Sequence, residues 1–161
     1  MDALKAQNPS PLIRRAEPRD AEVLSAIAVR SEAHWGSDDA FMETFRRLYR
    51  ITEGFIARNQ VFLVEADGAV HGFYALSGSE LEYLYLEPAE IGKGLGRLLW
   101  DHMLAVCRSM GIREIHLVCG PQPKAFYLRM GAEEAGEADS LVTPGRKVSR
   151  LTCRIPQGPR P

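Results

Sequence analysis

No apolar run in this chain approaches the length of a membrane span, which excludes a spanning helix. The first residues also lack the basic-then-apolar order of a secretory leader, so a cytoplasmic protein is expected. Charge of one sign is missing too. The chain has 20 Lys and Arg against 21 Asp and Glu, a formal charge of −1, which offers no basic surface for nucleic acid. Cysteine is scarce: the 3 residues at 107, 119 and 153 are odd in number, widely spaced and free of metal-ligand patterns. They read as reduced thiols, in keeping with a cytosolic setting. His71, His102 and His116 are scattered and read as structural, so no metal is expected. No Ser-His-Asp or Cys-His arrangement is visible either.

What is present is 161 residues, 45% hydrophobic and 25% charged, enough for one domain with a real core. That domain is expected to span 11–155, with loose termini at 1–10 and 156–161. A short strand near Leu12–Arg15 leads through Pro18 into a helix predicted from about Arg19 to His34. Gly36 breaks it, and Ser37-Asp38 caps a second helix through Tyr49. Val61–Ala66 and Ala69–Ser77, joined by Asp67-Gly68, predict a hairpin. Strands at 81–87 and 113–118 flank a long helix and are expected to be parallel neighbours. A short helix near Pro123–Met130 and strands at 132–138 and 148–155 complete the order βααβββαβαββ, an α/β fold.

The most informative segment is Glu87-Pro88-Ala89-Glu90-Ile91-Gly92-Lys93-Gly94-Leu95-Gly96-Arg97. It joins an apolar strand to a helix whose Leu95, Leu98, Leu99, Met103, Val106 and Met110 recur mostly three and four apart. Glycines let backbone approach a ligand, and the free N–H groups of a first helical turn point at it. A phosphate-bearing ligand is therefore expected. A P-loop is excluded, because Lys93 is followed by Gly94 rather than Ser or Thr. A dinucleotide fold is excluded too, since the glycines read G-x-G-x-G and the next strand ends in Cys119-Gly120 without an acid.

From about Leu81 to Glu137 the chain resembles the GNAT superfamily of N-acetyltransferases, whose signature is Arg/Gln-x-x-Gly-x-Gly/Ala after the fourth strand. Leu84-Tyr85-Leu86-Glu87-Pro88, Glu114–Val118 and Ala125-Phe126-Tyr127-Leu128-Arg129-Met130-Gly131-Ala132 match further family segments in order. One position departs: Ile91 stands where the family has Arg or Gln. The resemblance implies a mixed, mostly antiparallel twisted sheet of about six to seven strands with helices on both faces. It implies acetyl-CoA as donor and an amine, free or on a peptide, as acceptor, and it allows a homodimer.

By the same resemblance, Gly92, Gly94, Leu95 and Gly96 hold the pyrophosphate through backbone amides, with Lys93 or Arg97 supplying charge. Leu84, Tyr85 or Leu86 offers a backbone N–H to the thioester oxygen, and Gln122 stands where relatives carry a coenzyme-contacting Asn. Tyr127 matches the tyrosine that protonates the departing thiolate. A glutamate on the fourth strand often serves as base, which here reaches Glu80 or Glu82; strict alternation puts both on the face of Leu84 and Leu86. His34 and Trp35 stand at the helix–helix junction that walls the acceptor pocket in such enzymes. Their segment, Arg30-Ser31-Glu32-Ala33-His34-Trp35-Gly36, resembles a subset of bacterial GNAT proteins. Ile91 keeps a second reading open, a catalytically weak acetyl-CoA-binding sensor or docking module.

Overall fold

Asp20 sets where the first helix begins. In a computed structural model, which describes residues 11–157, a 3-10 turn at Pro18–Asp20 separates β1 (Leu12–Arg15) from α1 (Ala21–Ala33). The nearly buried Asp20 carboxylate accepts from the Glu17 N–H at 2.8 Å and from two Arg14 guanidinium nitrogens at 3.0 and 3.2 Å. The helix therefore starts at Ala21 rather than Arg19 and ends at Ala33. α2 (Asp39–Leu48) is capped by the Asp38 carboxylate, which accepts the Phe41 N–H at 2.7 Å. A further helix, α3 (Glu53–Arg58), is absent from the expected order; the Thr52 hydroxyl caps it through the Phe55 N–H at 3.1 Å. Six residues are too few to show helical periodicity in a sequence.

The remaining elements are β2 (Gln60–Ala66), β3 (Ala69–Ser77), β4 (Glu80–Leu86), α4 (Leu95–Ser109), β5 (Glu114–Cys119), α5 (Pro121–Arg129), β6 (Glu133–Asp139) and β7 (Lys147–Arg154). The β2–β3 hairpin turns on Asp67 and Gly68 at φ +51° and +75°, both left-handed as a type I′ turn requires. The seven strands form one sheet in the order β1-β2-β3-β4-β5-β7-β6, antiparallel except for the parallel neighbours β4 and β5. Residues 1–10 and 158–161, expected to be loose, lie outside the described residues, whereas 156 and 157 belong to no regular element.

β3 is buried on both faces and divides the core. Tyr74 and Leu76 face a cluster with Leu99, Trp100, Met103, Ile115 and Leu151 beneath α4. Phe73 and Ala75 face Leu24, Ile27, Phe45, Leu63 and Tyr83 beneath α1 and α2. A fully buried side chain such as Leu24 contributes about 1.5–3 kcal/mol. Two irregularities position the site. β4 and β5 are paired at a single position, Glu80 with His116, beyond which they part. In β4 one residue is extra: Ala75 pairs with Tyr83 and its neighbour Leu76 with Leu81, leaving Glu82 as a bulge.

Candidate active site

The parting of β4 and β5 frees one edge of β4 ahead of the glycine loop. Leu84, Tyr85 and Leu86 pair with Tyr74, Phe73 and Gly72 on one edge, while their other edge has lost β5. Backbone N–H and C=O groups there are open to a ligand. Gly72 makes room for this strand end: a Cβ on it would stand 2.6 Å from the Leu86 side chain and 3.0 Å from the Tyr85 carbonyl oxygen. Gly92 and Gly94 take φ of +85° and +88°, left-handed values that a side chain would strain. Gly94 is the N-cap of α4, and no side chain caps that helix. Among the described residues, the N–H groups of Leu95, Gly96 and Arg97 have no acceptor. Lys93 and Arg97 are exposed beside them. An uncapped helix start flanked by two cations suits a phosphate. The Leu95 side chain is buried in the core, so only its backbone serves the cradle. Gly96 has a second role, since a Cβ there would lie 3.2 and 3.3 Å from the Phe126 ring, so it lets α4 close on α5. Ile91 is half-buried.

α5, which packs on α4 at Gly96, carries Gln122 and Tyr127. Gln122 is exposed in its first turn, folded back over Gly120. Tyr127 is buried, with its ring 6.0 Å from Trp100 and 5.4 Å from Phe126. Burial pushes its phenol up, and neighbouring Cys119 adds to the shift. The Cys119 thiol is itself pushed up by burial, with Lys124 opposing. Trp100 Nε1 is buried without a partner among the described residues.

The face of β4 towards α1 and α2 is aromatic. Phe45 stacks on Tyr49 at 4.7 Å and meets Tyr85 edge-on at 6.2 Å; Tyr49 meets Tyr83 at 6.1 Å. Val142, in the loop between β6 and β7, packs on the same cluster. Arg30 near the end of α1 donates to Glu87 beyond β4 through two guanidinium nitrogens, one at 3.0 Å. The Tyr85 phenol is pushed well up, first by burial and then by Glu32, Tyr127, Tyr49 and Tyr83 in turn. Tyr85 thus feels charge from both Glu32 and Tyr127.

The bulge changes the company of the two β4 glutamates. Leu81, Leu84 and Leu86 all belong to the cluster beneath α4, which strict alternation forbids for 81 and 84. Tyr83 and Tyr85 belong to the opposite cluster. Glu82 acts on Tyr49 and Tyr83, so it is associated with the tyrosines, not with Leu84 and Leu86. Glu80 and Glu82 are both exposed; burial and the charge of Glu80 raise Glu82 above the usual carboxylate range. His34 and Trp35 are exposed at the α1–α2 junction, their rings 5.1 Å apart and set edge-on, and Trp35 joins neither core cluster. Glu32 is half-buried beside them and raised by burial, a position that the resemblance to known enzymes does not pick out. Its signal is a carboxylate one turn beyond Ala28 on an apolar stripe. Among the described residues no three His, Cys, Asp or Glu side chains gather as metal ligands, and no helix is long and apolar enough to cross a membrane.

The parted β4–β5 pair, the uncapped glycine-led helix and the buried tyrosine of α5 make up the candidate site. Residues 57–131 match the model of the Acetyltransferase (GNAT) domain, and the chain is similar to proteins named N-acetyltransferases. It is 27% identical over 138 residues to the peptidyl-lysine N-acetyltransferase YjaB of Salmonella typhimurium, covering 82% of this chain and 91% of that protein. Its fold is similar to a GCN5-related N-acetyltransferase from Rhodopseudomonas palustris, with TM-score 0.78, 19% identity, and 92% and 98% of the two chains covered. It is also similar to PaiA N-acetyltransferase from Thermoplasma acidophilum in complex with coenzyme A, with TM-score 0.76, 21% identity and 90% and 99% coverage.

Proposed function

We propose that the chain moves an acetyl group from acetyl-CoA to a primary amine, with a lysine side chain of a peptide or protein as the acceptor class. One observation carries this reading: the uncapped start of α4 behind left-handed Gly94 lies beside the parted ends of β4 and β5. The diphosphate of the donor binds the amides of residues 92–97, assisted by Lys93 and Arg97. Its thioester lies against the open edge of Leu84–Leu86, where a backbone N–H receives the charge that develops on the carbonyl oxygen. Gln122 borders the pantetheine arm. The aromatic face bordered by His34 and Trp35 receives the alkyl stem of the amine, and the carboxylates on that side favour an ammonium head. A carboxylate there, with Glu80 and Glu82 on β4 as the family-like choices, removes the ammonium proton, and Tyr127 protonates sulfur.

The name of the Salmonella relative, a peptidyl-lysine N-acetyltransferase, supports the acceptor class. The test is thiol release from acetyl-CoA in the presence of lysine-bearing peptides, with acetyl-lysine detected by mass spectrometry. Half-buried Ile91, apolar where the family is polar, favours a second reading, a weakly catalytic acetyl-CoA-binding module. Tight acetyl-CoA binding without turnover on a broad amine panel would favour that reading.

A further inference from the structure

Along α1, Leu24, Ile27, Ala28 and Ser31 are buried and form the face that packs on the sheet. Glu32 stands one turn beyond Ala28, on the border of that face, and is half-buried. No other side chain is hydrogen-bonded to it or ion-paired with it among the described residues. Arg30, two residues away, points off another side of the helix and is engaged with Glu87. A carboxylate withdrawn from water without a partner is costly, and a visiting cation relieves that cost.

We infer that Glu32, rather than Glu80 or Glu82, takes the proton from the acceptor ammonium; this rests on the acetyl transfer proposed above. Position along β4 argues against the strand glutamates. Glu80 sits where β4 and β5 are still paired. Leu84–Leu86, where they have parted, lies about 13–20 Å further along at ~3.3 Å per residue. Glu82 is about 10 Å short of Tyr85 by the same measure. Glu32 approaches from α1, across the strand instead of along it, and its charge acts on Tyr85 and Tyr49. The charge of Glu82 acts on Tyr49 and Tyr83. Tyr85 is the residue of this set that also responds to Tyr127. The titratable groups that the charge of Glu32 reaches are Tyr49 at the end of α2 and Tyr85 on β4; Arg30 and His34 neighbour it in sequence.

The protons balance as follows. Glu32 takes one proton from the ammonium and releases it to solvent. The neutral nitrogen attacks the thioester carbonyl carbon, forming C–N, and the C–S bond then breaks. Sulfur takes a proton from Tyr127, and the phenol regains one from the nitrogen, which becomes the amide N–H.

Steady-state rates with a lysine-bearing peptide, at saturating acetyl-CoA and across pH, test this in the full chain. Glu32→Gln should lower kcat about 100-fold or more near neutral pH. It should also remove the acidic limb of the profile, which lies above the ordinary carboxylate range because burial raises Glu32. The deficit should shrink towards pH values where the free amine is populated. Acetyl-CoA affinity by calorimetry should stay within a few-fold of wild type, showing the fold intact. Glu32→Asp should keep the limb at reduced kcat. Glu80→Gln and Glu82→Gln should keep the acidic limb, whatever either costs in rate. An unchanged profile in Glu32→Gln overturns the assignment. So does a rise in KM with the limb retained, an Asp variant no better than Gln, or loss of the limb in Glu82→Gln or Glu80→Gln. A wild-type chain that acetylates no amine overturns the functional reading itself, and Glu32 with it.

Discussion

Tyr127 sits where burial opposes the phenolate, so at neutral pH it holds its proton. Phe at 127 keeps the packing on Trp100 and Phe126 but removes that proton. Turnover of Tyr127→Phe should fall about 10–1,000-fold with acetyl-CoA affinity within a few-fold, measured where chemistry limits the rate. The loss should shrink with a donor whose thiol is more acidic; wild-type turnover would leave Tyr127 a packing role. At Gly94 the argument is conformational. A Cβ there would meet nothing within 4 Å, but φ is +88°. Gly94→Val should cost about 1–3 kcal/mol in urea unfolding and weaken acetyl-CoA binding strongly in calorimetry. Both are marked as candidates in the sequence, Tyr127 through an ordered motif and Gly94 through its place before a helix. Glu32 is not legible as a site, because a carboxylate at the end of a helix becomes distinctive only when β4 packs against it.

At the scale of elements, two local contacts decide boundaries. Burial alone would raise the Asp20 carboxyl, but Arg14 and the Glu17 N–H outweigh it and hold the group below its usual range. A depressed carboxyl stabilises the fold above its unfolded value, ordinarily ~3.9, and that contribution is lost as pH falls through the lower folded value. Asp20→Asn should therefore cost about 1.5–3 kcal/mol at pH 7. The gap from wild type should close in acid, and a gap constant down to the acid transition would contradict the pairing. Gly96→Val drives a Cβ and two methyls at the Phe126 ring. It should cost about 1–3 kcal/mol by overpacking and also reduce turnover by shifting α5, with Tm and rate both measured. Helices α1, α2 and α4 and the β2–β3 hairpin are legible from periodicity and turn residues. The Glu82 bulge and α3 are not: the first depends on how β4 registers against β3, and the second is shorter than two helical turns.

At the scale of the molecule, apolar patterning predicts an α/β fold with helices on both faces, because each strand must bury at least one side. The observed sheet, with clusters beneath α4 and beneath α1–α2, has that arrangement. The parting of β4 from β5 escapes patterning, since it concerns which backbone groups stay unpaired and leaves no mark on side-chain order. It nevertheless shapes the candidate site, because it leaves a strand edge open just before the uncapped start of α4. The most direct measurement is of product: the chain, acetyl-CoA and a lysine-bearing peptide, analysed for acetyl-lysine and free thiol together. The account predicts one acetylated lysine Nε per thiol released, with the yield lost in Gly94→Val. Thiol released without acetyl-lysine, or no reaction and no calorimetric binding at millimolar acetyl-CoA, would contradict it.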